Sequence, residues 1–91
     1  MEFTKGENRF YKEEHGKLLA EVTYVPQGDQ VAIDHTFVDP SLRGQGVAEQ
    51  LVDRVVEEME KEKKKIIASC PYVVELFKRK SEKYQAINAN A

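Results

Sequence analysis

The chain has 91 residues, 41% of them apolar and 33% charged, with a net charge of −2. One domain over 1–91 is expected, and a chain this short buries only about 60–65% of its unfolded surface. The slight acidity argues against a basic nucleic-acid face, one cysteine excludes an internal disulfide, and no apolar run approaches the ~20 residues of a membrane span. A reducing, cytoplasmic setting fits, because Met1 to Lys17 also lacks the apolar core of a signal peptide.

Met1 to Glu7 is polar and reads as loosely held. Asn8 to Lys12, with Phe10 and Tyr11, reads as a short first strand, and Glu13 to Gly16 as a turn. Lys17 to Val25 alternates: Leu18, Ala20, Val22 and Tyr24 share one face, and Leu19, Glu21, Thr23 and Val25 the other. Pro26-Gln27-Gly28-Asp29 is a hairpin turn, and Gln30 to Val38 returns as the next strand. In that strand His35 alternates with Val31, Ile33 and Phe37, and Asp34 and Thr36 face the other way unless a bulge intervenes.

Asp39-Pro40-Ser41-Leu42 stops the strand, since Pro cannot donate to a ladder. The following helix is the plainest element. Val47, Ala48, Leu51, Val52, Val55, Val56 and Met59 form its apolar stripe, and Glu49, Gln50, Asp53, Arg54, Glu57 and Glu58 fill the opposite face. Lys65–Ala68 is a short buried strand, parallel to the one before the helix, closing a right-handed βαβ unit. Pro71 at a first helical position starts a second helix and puts Cys70 near its N-cap. The tail from Ser81 has Tyr84 and Ile87 as anchors and then frays. The expected fold is α+β: a β-β-β-α-β-α layered sandwich with a mixed, mostly antiparallel sheet and helices packed on it.

The loop Arg43-Gly44-Gln45-Gly46-Val47-Ala48 carries the chemistry. Two glycines let the backbone turn tightly and approach a ligand, and the N–H groups of the opening helix face an anion with nothing else to bind. Arg43 adds a planar fork of donors. The loop reads as a diphosphate cradle, yet it is neither a Walker loop nor a three-glycine dinucleotide fingerprint, and Ile67-Ala68-Ser69 ends the next strand without a carboxylate. A bare glycine turn opening a helix is the alternative.

Arg43-x-x-Gly46-x-Ala48, preceded by a strand and Val38-Asp39-Pro40 and followed by an amphipathic helix, resembles the acetyl-CoA loop of the GNAT superfamily of N-acetyltransferases. Asp34-His35-Thr36, Cys70-Pro71-Tyr72 and Tyr84 extend the likeness to the minimal, single-domain (YjdJ-like) branch, although Ser81-Glu82 stands where that branch often has His-Pro. The resemblance implies acetyl-CoA or coenzyme A as cofactor, with Thr36, Phe37, Val38, Arg43, Gly44, Gln45, Gly46, Val47, Ala48 and Tyr72 as its contacts and no metal. It implies direct attack of an amine on the thioester, the acceptor being a small amine or a protein lysine. An acyl-CoA-binding module without turnover is the alternative.

His35 and Cys70 are the candidate catalytic residues. Imidazole titrates near neutral pH, which suits a base, and a helix N-terminus activates a thiol. Each has a plainer reading, as a strand histidine and as a small buried hydrophobe. A monomer or weak homodimer is expected, with no nucleic-acid or membrane partner.

Overall fold

In the computed structural model, which describes residues 1–90, five strands form one sheet in the order β1-β2-β3-β4-β5. They are β1 (Thr4–Gly6), β2 (Arg9–Glu14), β3 (Lys17–Gln27), β4 (Gln30–Val38) and β5 (Lys65–Ala68). Helix α1 (Val47–Glu62) lies between β4 and β5, and α2 (Pro71–Arg79) and α3 (Ser81–Tyr84) follow β5. The first four strands pair antiparallel and β4 pairs parallel to β5, so the mixed sheet and the βαβ crossover are as expected.

Three boundaries differ from the sequence reading. Residues Thr4–Gly6 are not loose but pair with β2, and Phe3 packs against the core. The hairpin joining β2 and β3 turns on His15 and Gly16 alone, both at positive φ (52° and 77°). Strand β3 continues through Pro26, opposite Val31, and turns only at Gly28-Asp29. Pairing with β2 reaches only Arg9↔Thr23, so a proline at 26 forfeits no bond on that edge.

The alternation of β3 sends Ala20, Val22 and Tyr24 to one face of the sheet. Phe10, Val31, Ile33 and Ile66 join them and meet α1 through Leu51, Val52, Val55 and Met59. Helix α2 adds Val73, Leu76 and Phe77 to the same cluster. Among the described residues the helices therefore cover one face and leave the other bare. Helix α1 ends on Lys63 in a left-handed conformation (φ 58°), with the Lys64 N–H donating to Met59 O at 2.9 Å.

The C-terminal tail does not fray within the described residues; Ala91 lies outside them. Ile66 N–H donates to Ile87 O at 2.8 Å, and Ala89 N–H donates to Ile66 O at 2.8 Å, so the tail adds a bridge to the edge of β5. Tyr84 is fully enclosed, stacks on Phe77 at 4.8 Å and donates from its hydroxyl to Asp53 Oδ1 at 2.6 Å. Burial first, and the Asp53 bond second, push its phenol well above the ordinary range.

Beside it, Lys80 and Lys83 bind the Glu49 carboxylate at 2.9 and 2.7 Å. Lys80 first, then Lys83, hold the Glu49 carboxyl down to about 2. A carboxyl depressed in the folded state contributes stability above its unfolded value, and that contribution disappears as pH falls toward the folded one. Acid unfolding between about pH 4.5 and pH 2 is therefore expected to lose part of its slope in Glu49→Gln. Circular dichroism across that window reads it. High salt should shrink the difference, because Glu49 and its lysines lie at the surface.

Candidate functional site

Strand β4 carries a bulge at its centre. Thr23 faces His35 and Tyr24 faces Ile33, which leaves Asp34 as the extra residue. A bulge sets two consecutive residues opposite one, so the alternation changes phase at that point. Expected beside Val31 and Ile33, His35 instead lies exposed on the helix-free face, while Ile33 is fully buried. Asp34 shares the face with His35 and accepts from Thr23 Oγ1 at 2.7 Å. Thr36 turns to the helix side, where its hydroxyl lies 3.6 Å from the Cys70 sulfur, and Val38 packs against the core.

The bulge coincides with a fork in the sheet. Strands β4 and β5 pair only from Gln30↔Lys65 to Ile33↔Ala68. The Ile33 carbonyl then accepts from both Ser69 N–H (3.2 Å) and Cys70 N–H (2.9 Å), which turns β5 away into α2. Strand β4 runs on to Val38 paired only with β3, and among the described residues no strand lies beside Asp34–Val38 on the β5 edge.

Beyond the fork, Asp39 organises the turn. Its Oδ2 accepts from Ser41 Oγ at 2.6 Å and from Ser41 N–H at 3.0 Å, with Lys17 Nζ 3.6 Å from Oδ1. The Ser41 hydroxyl, then its amide, holds this carboxyl below its ordinary range. A single 3₁₀ turn, Pro40–Leu42, leads into Arg43 and the two glycines, at φ 82° (Gly44) and 70° (Gly46). A Cβ built at either glycine would meet no atom within 4 Å, so the space in front of them is open.

Gly46 is the N-cap of α1 and has no side-chain cap. The first helical bond runs from Gln50 N–H to Gly46 O (3.1 Å), which leaves the amides of Val47, Ala48 and Glu49 without intrahelical acceptors. Gln50 Nε2 also donates to Gln45 O at 3.4 Å, fixing that carbonyl on the helix side. Val38, Leu42, Arg43, Gly44, Gly46, Val47 and Ala48 enclose a recess of about 220 Å³. That is room for roughly seven waters and less than a whole drug-sized ligand requires. Its size admits one segment of a longer molecule. A recess of about 400 Å³ beside Arg79–Lys83 is larger, but it lies at the start of the four-residue α3 and has no glycine in its lining.

Six of the ten expected contact residues thus share one recess. Gln45, between the two glycines, does not line it and is tied through its carbonyl to Gln50, and Thr36 lies at the fork beside Cys70. Phe37 sits across from Glu21, on the helix-free side. Tyr72 is half-buried against the core in the first turn of α2; burial first, then the Glu49 carboxylate, raise its phenol above the ordinary value. His35 and Cys70, paired as candidates in the sequence, fall on opposite faces of β4. Leu42, which lines the recess, and Gln50, which binds the Gln45 carbonyl, are not among the contacts expected from the sequence. Leu42 is an apolar residue stranded in a turn, which was a usable signal; Gln50 looked like any solvated helix position.

The profile of the family described as GCN5-related N-acetyl-transferase matches residues 9–87. No curated protein matches. Among solved structures, a GCN5-like protein from Staphylococcus aureus is 37% identical, with 96% of this chain and 86% of that one covered and a TM-score of 0.80. The ribosomal-protein-S18-alanine N-acetyltransferase of Escherichia coli is 27% identical over 64% of this chain and 39% of its own length, with a TM-score of 0.54. A ribosomal-protein-alanine N-acetyltransferase from Brucella melitensis, 23% identical over 69% of this chain and 49% of its own, shares the fold at a TM-score of 0.55. Matched span, element order and the glycine loop at the helix start agree with one another: the chain belongs to the GCN5-related N-acetyltransferase family.

Proposed function

We propose that this protein binds acetyl-CoA and transfers its acetyl group to an amine. The observation that carries the reading is the loop from Arg43 to Ala48, where uncapped helix-start amides and an arginine border an open recess. These residues fit a diphosphate: the donors carry no other acceptor, the helix dipole favours an anion, and the space that side chains at 44 and 46 would occupy is free. Gly44 to Ala48 and Arg43 would hold the diphosphate, and Thr36 to Val38 would border the arm beyond it. When bound, acetyl-CoA supplies a thioester whose acetyl carbon bonds to the acceptor nitrogen as its C–S bond breaks, the sulfur leaving with the nitrogen's proton.

The chain's own part is positioning, which brings the reacting groups together without new covalent chemistry. The unpaired edge of β4 beyond Ile33 offers main-chain donors for a polarised carbonyl. His35, exposed on the helix-free face, is free to take a proton from an amine arriving there. Cys70, against the Thr36 hydroxyl, forms a wall of the fork on the other side.

Calorimetry with coenzyme A and acetyl-CoA, followed by thiol release with a panel of amines, tests the reading. Heat with both ligands and amine-dependent thiol release are expected. Binding without amine-dependent release would leave an acyl-CoA-binding module, and no heat with either ligand would overturn the proposal. Direct attack also predicts that Cys70→Ser keeps turnover within about threefold, a change of under about 0.7 kcal/mol in the barrier. Loss of turnover together with an acetyl adduct on Cys70 in the wild-type protein, seen by mass spectrometry, would replace direct attack by a covalent relay.

A further inference from the structure

The acceptor amine needs its own recognition group, and the bulge in β4 supplies one. Asp34 is the residue that pairing with β3 leaves over. It follows Ile33, whose carbonyl closes the β4–β5 pairing, so it stands at the apex of the fork. Its side chain is exposed on the helix-free face, away from the side where α1 and α2 pack. The Thr23 hydroxyl holds one carboxylate oxygen at 2.7 Å. No lysine or arginine among the described residues lies within ion-pair distance of Asp34, whereas Glu21 on the same face is neutralised by Arg9 at 2.8 Å. The charge at the fork apex is therefore one oriented carboxylate with a free oxygen, and its immediate neighbour is His35.

We propose that Asp34 holds the ammonium of the acceptor at the helix-free side of the fork, and that the acceptor is a primary amine without a carboxylate beside its nitrogen. The inference rests on the acyl-transfer reading of the fork. A carboxylate accepts hydrogen bonds only, so it favours a cationic donor and repels a second carboxylate. A free α-amino acid brings a carboxylate within two bonds of its nitrogen and meets that repulsion. A lysine side chain or a polyamine brings none. Thr23 is the positioning residue: its hydroxyl fixes the carboxylate orientation, and the bulge keeps Asp34 and His35 side by side where strict alternation would separate them.

The test is amine binding, read apart from turnover. Isotope-labelled protein is titrated with spermidine, with Nα-acetyl-lysine amide and with glycine, both with and without saturating coenzyme A, and backbone amide shifts are followed. Spermidine or the lysine amide should shift Thr23, Asp34 and His35 saturably, and glycine at least about fivefold more weakly. Asp34→Asn, nearly isosteric and outside the core, should weaken binding of the cationic probe about fivefold, the upper range for an exposed ion pair. Thr23→Val should give a smaller loss of the same kind. Tighter binding of spermidine would point to a polyamine, and tighter binding of the lysine amide to a protein lysine. Equal binding of glycine, unchanged affinity in Asp34→Asn, or shifts confined to other surfaces would overturn the assignment. Calorimetry with coenzyme A on the same samples reads the cofactor site separately, so loss of that signal marks failure of the acyl-transfer reading and not of the amine site.

Discussion

Coenzyme A binding is expected to fall at least about 100-fold in Gly46→Glu, read by calorimetry at low salt, while the protein stays folded. The new side chain has room, because a Cβ at this position meets nothing within 4 Å. What it would meet instead, on the proposed reading, is the diphosphate. Two unit charges about 4 Å apart at a protein surface repel by roughly 4 kcal/mol, and ~2.8 kcal/mol already accounts for 100-fold. Part of the loss should return at high salt. Left-handed backbone at φ 70° adds a second effect, about 1–2 kcal/mol for any residue with a Cβ, or roughly 5–15 °C in Tm for a domain of this size. Gly46→Ala separates the two. It should show the same fall in Tm, with a loss of affinity below about tenfold, since it adds strain without charge. Equal affinity losses in both variants would mean that loop shape, not charge, governs the site. Unchanged binding in Gly46→Glu would mean that the ligand lies elsewhere.

The largest expected loss of stability is at Tyr84. Tyr84→Ala should cost about 3–5 kcal/mol, the range for emptying a buried aromatic site, out of the roughly 5–15 kcal/mol that holds a domain together. Its ring is fully enclosed and stacked on Phe77, and its hydroxyl is tied to Asp53 on the helix that opens at the glycine loop. Tyr84→Phe keeps the ring and removes one hydrogen bond to a carboxylate that also has Lys83 at 3.0 Å. About 1–2 kcal/mol is expected there. Urea denaturation measures both. A Tyr84→Ala cost below about 1 kcal/mol would show that the tail is an appendage and not part of the core.

The coupling matters for the site. Helix α1 bears the cradle at one end, and Glu49 and Asp53, in its first two turns, receive Lys80, Lys83 and Tyr84. The tail thus braces the turns of α1 nearest the recess. An acidic Glu49 beside an anion site would oppose binding, and the two lysines neutralise it.

Much of this architecture follows from local pattern. The 3.6-residue stripe of α1, the alternation of β3, the apolar pair Ile66-Ile67 and the proline opening α2 each specify an element without reference to the rest of the chain. The recess at the glycine loop was legible for the same reason: glycines, helix start and arginine are contiguous, and six of the expected contact residues line it. Thr4–Gly6 and the Ile87–Ala89 bridge were not legible, because short polar stretches become strands only when a partner edge satisfies their backbone. The side of His35 was not legible either. One extra residue in the register against β3 reverses every side chain after it, and register is a property of two strands together.

By itself, then, the sequence determined the order of elements, the apolar faces and the glycine loop at the helix start, since each arises between residues within a few positions of one another. Tertiary structure alone decided which face receives Asp34 and His35, where β4 and β5 part, and what Tyr84 and the tail lysines hold. Those depend on pairings between segments 11 to 37 residues apart, whose geometry no local pattern encodes.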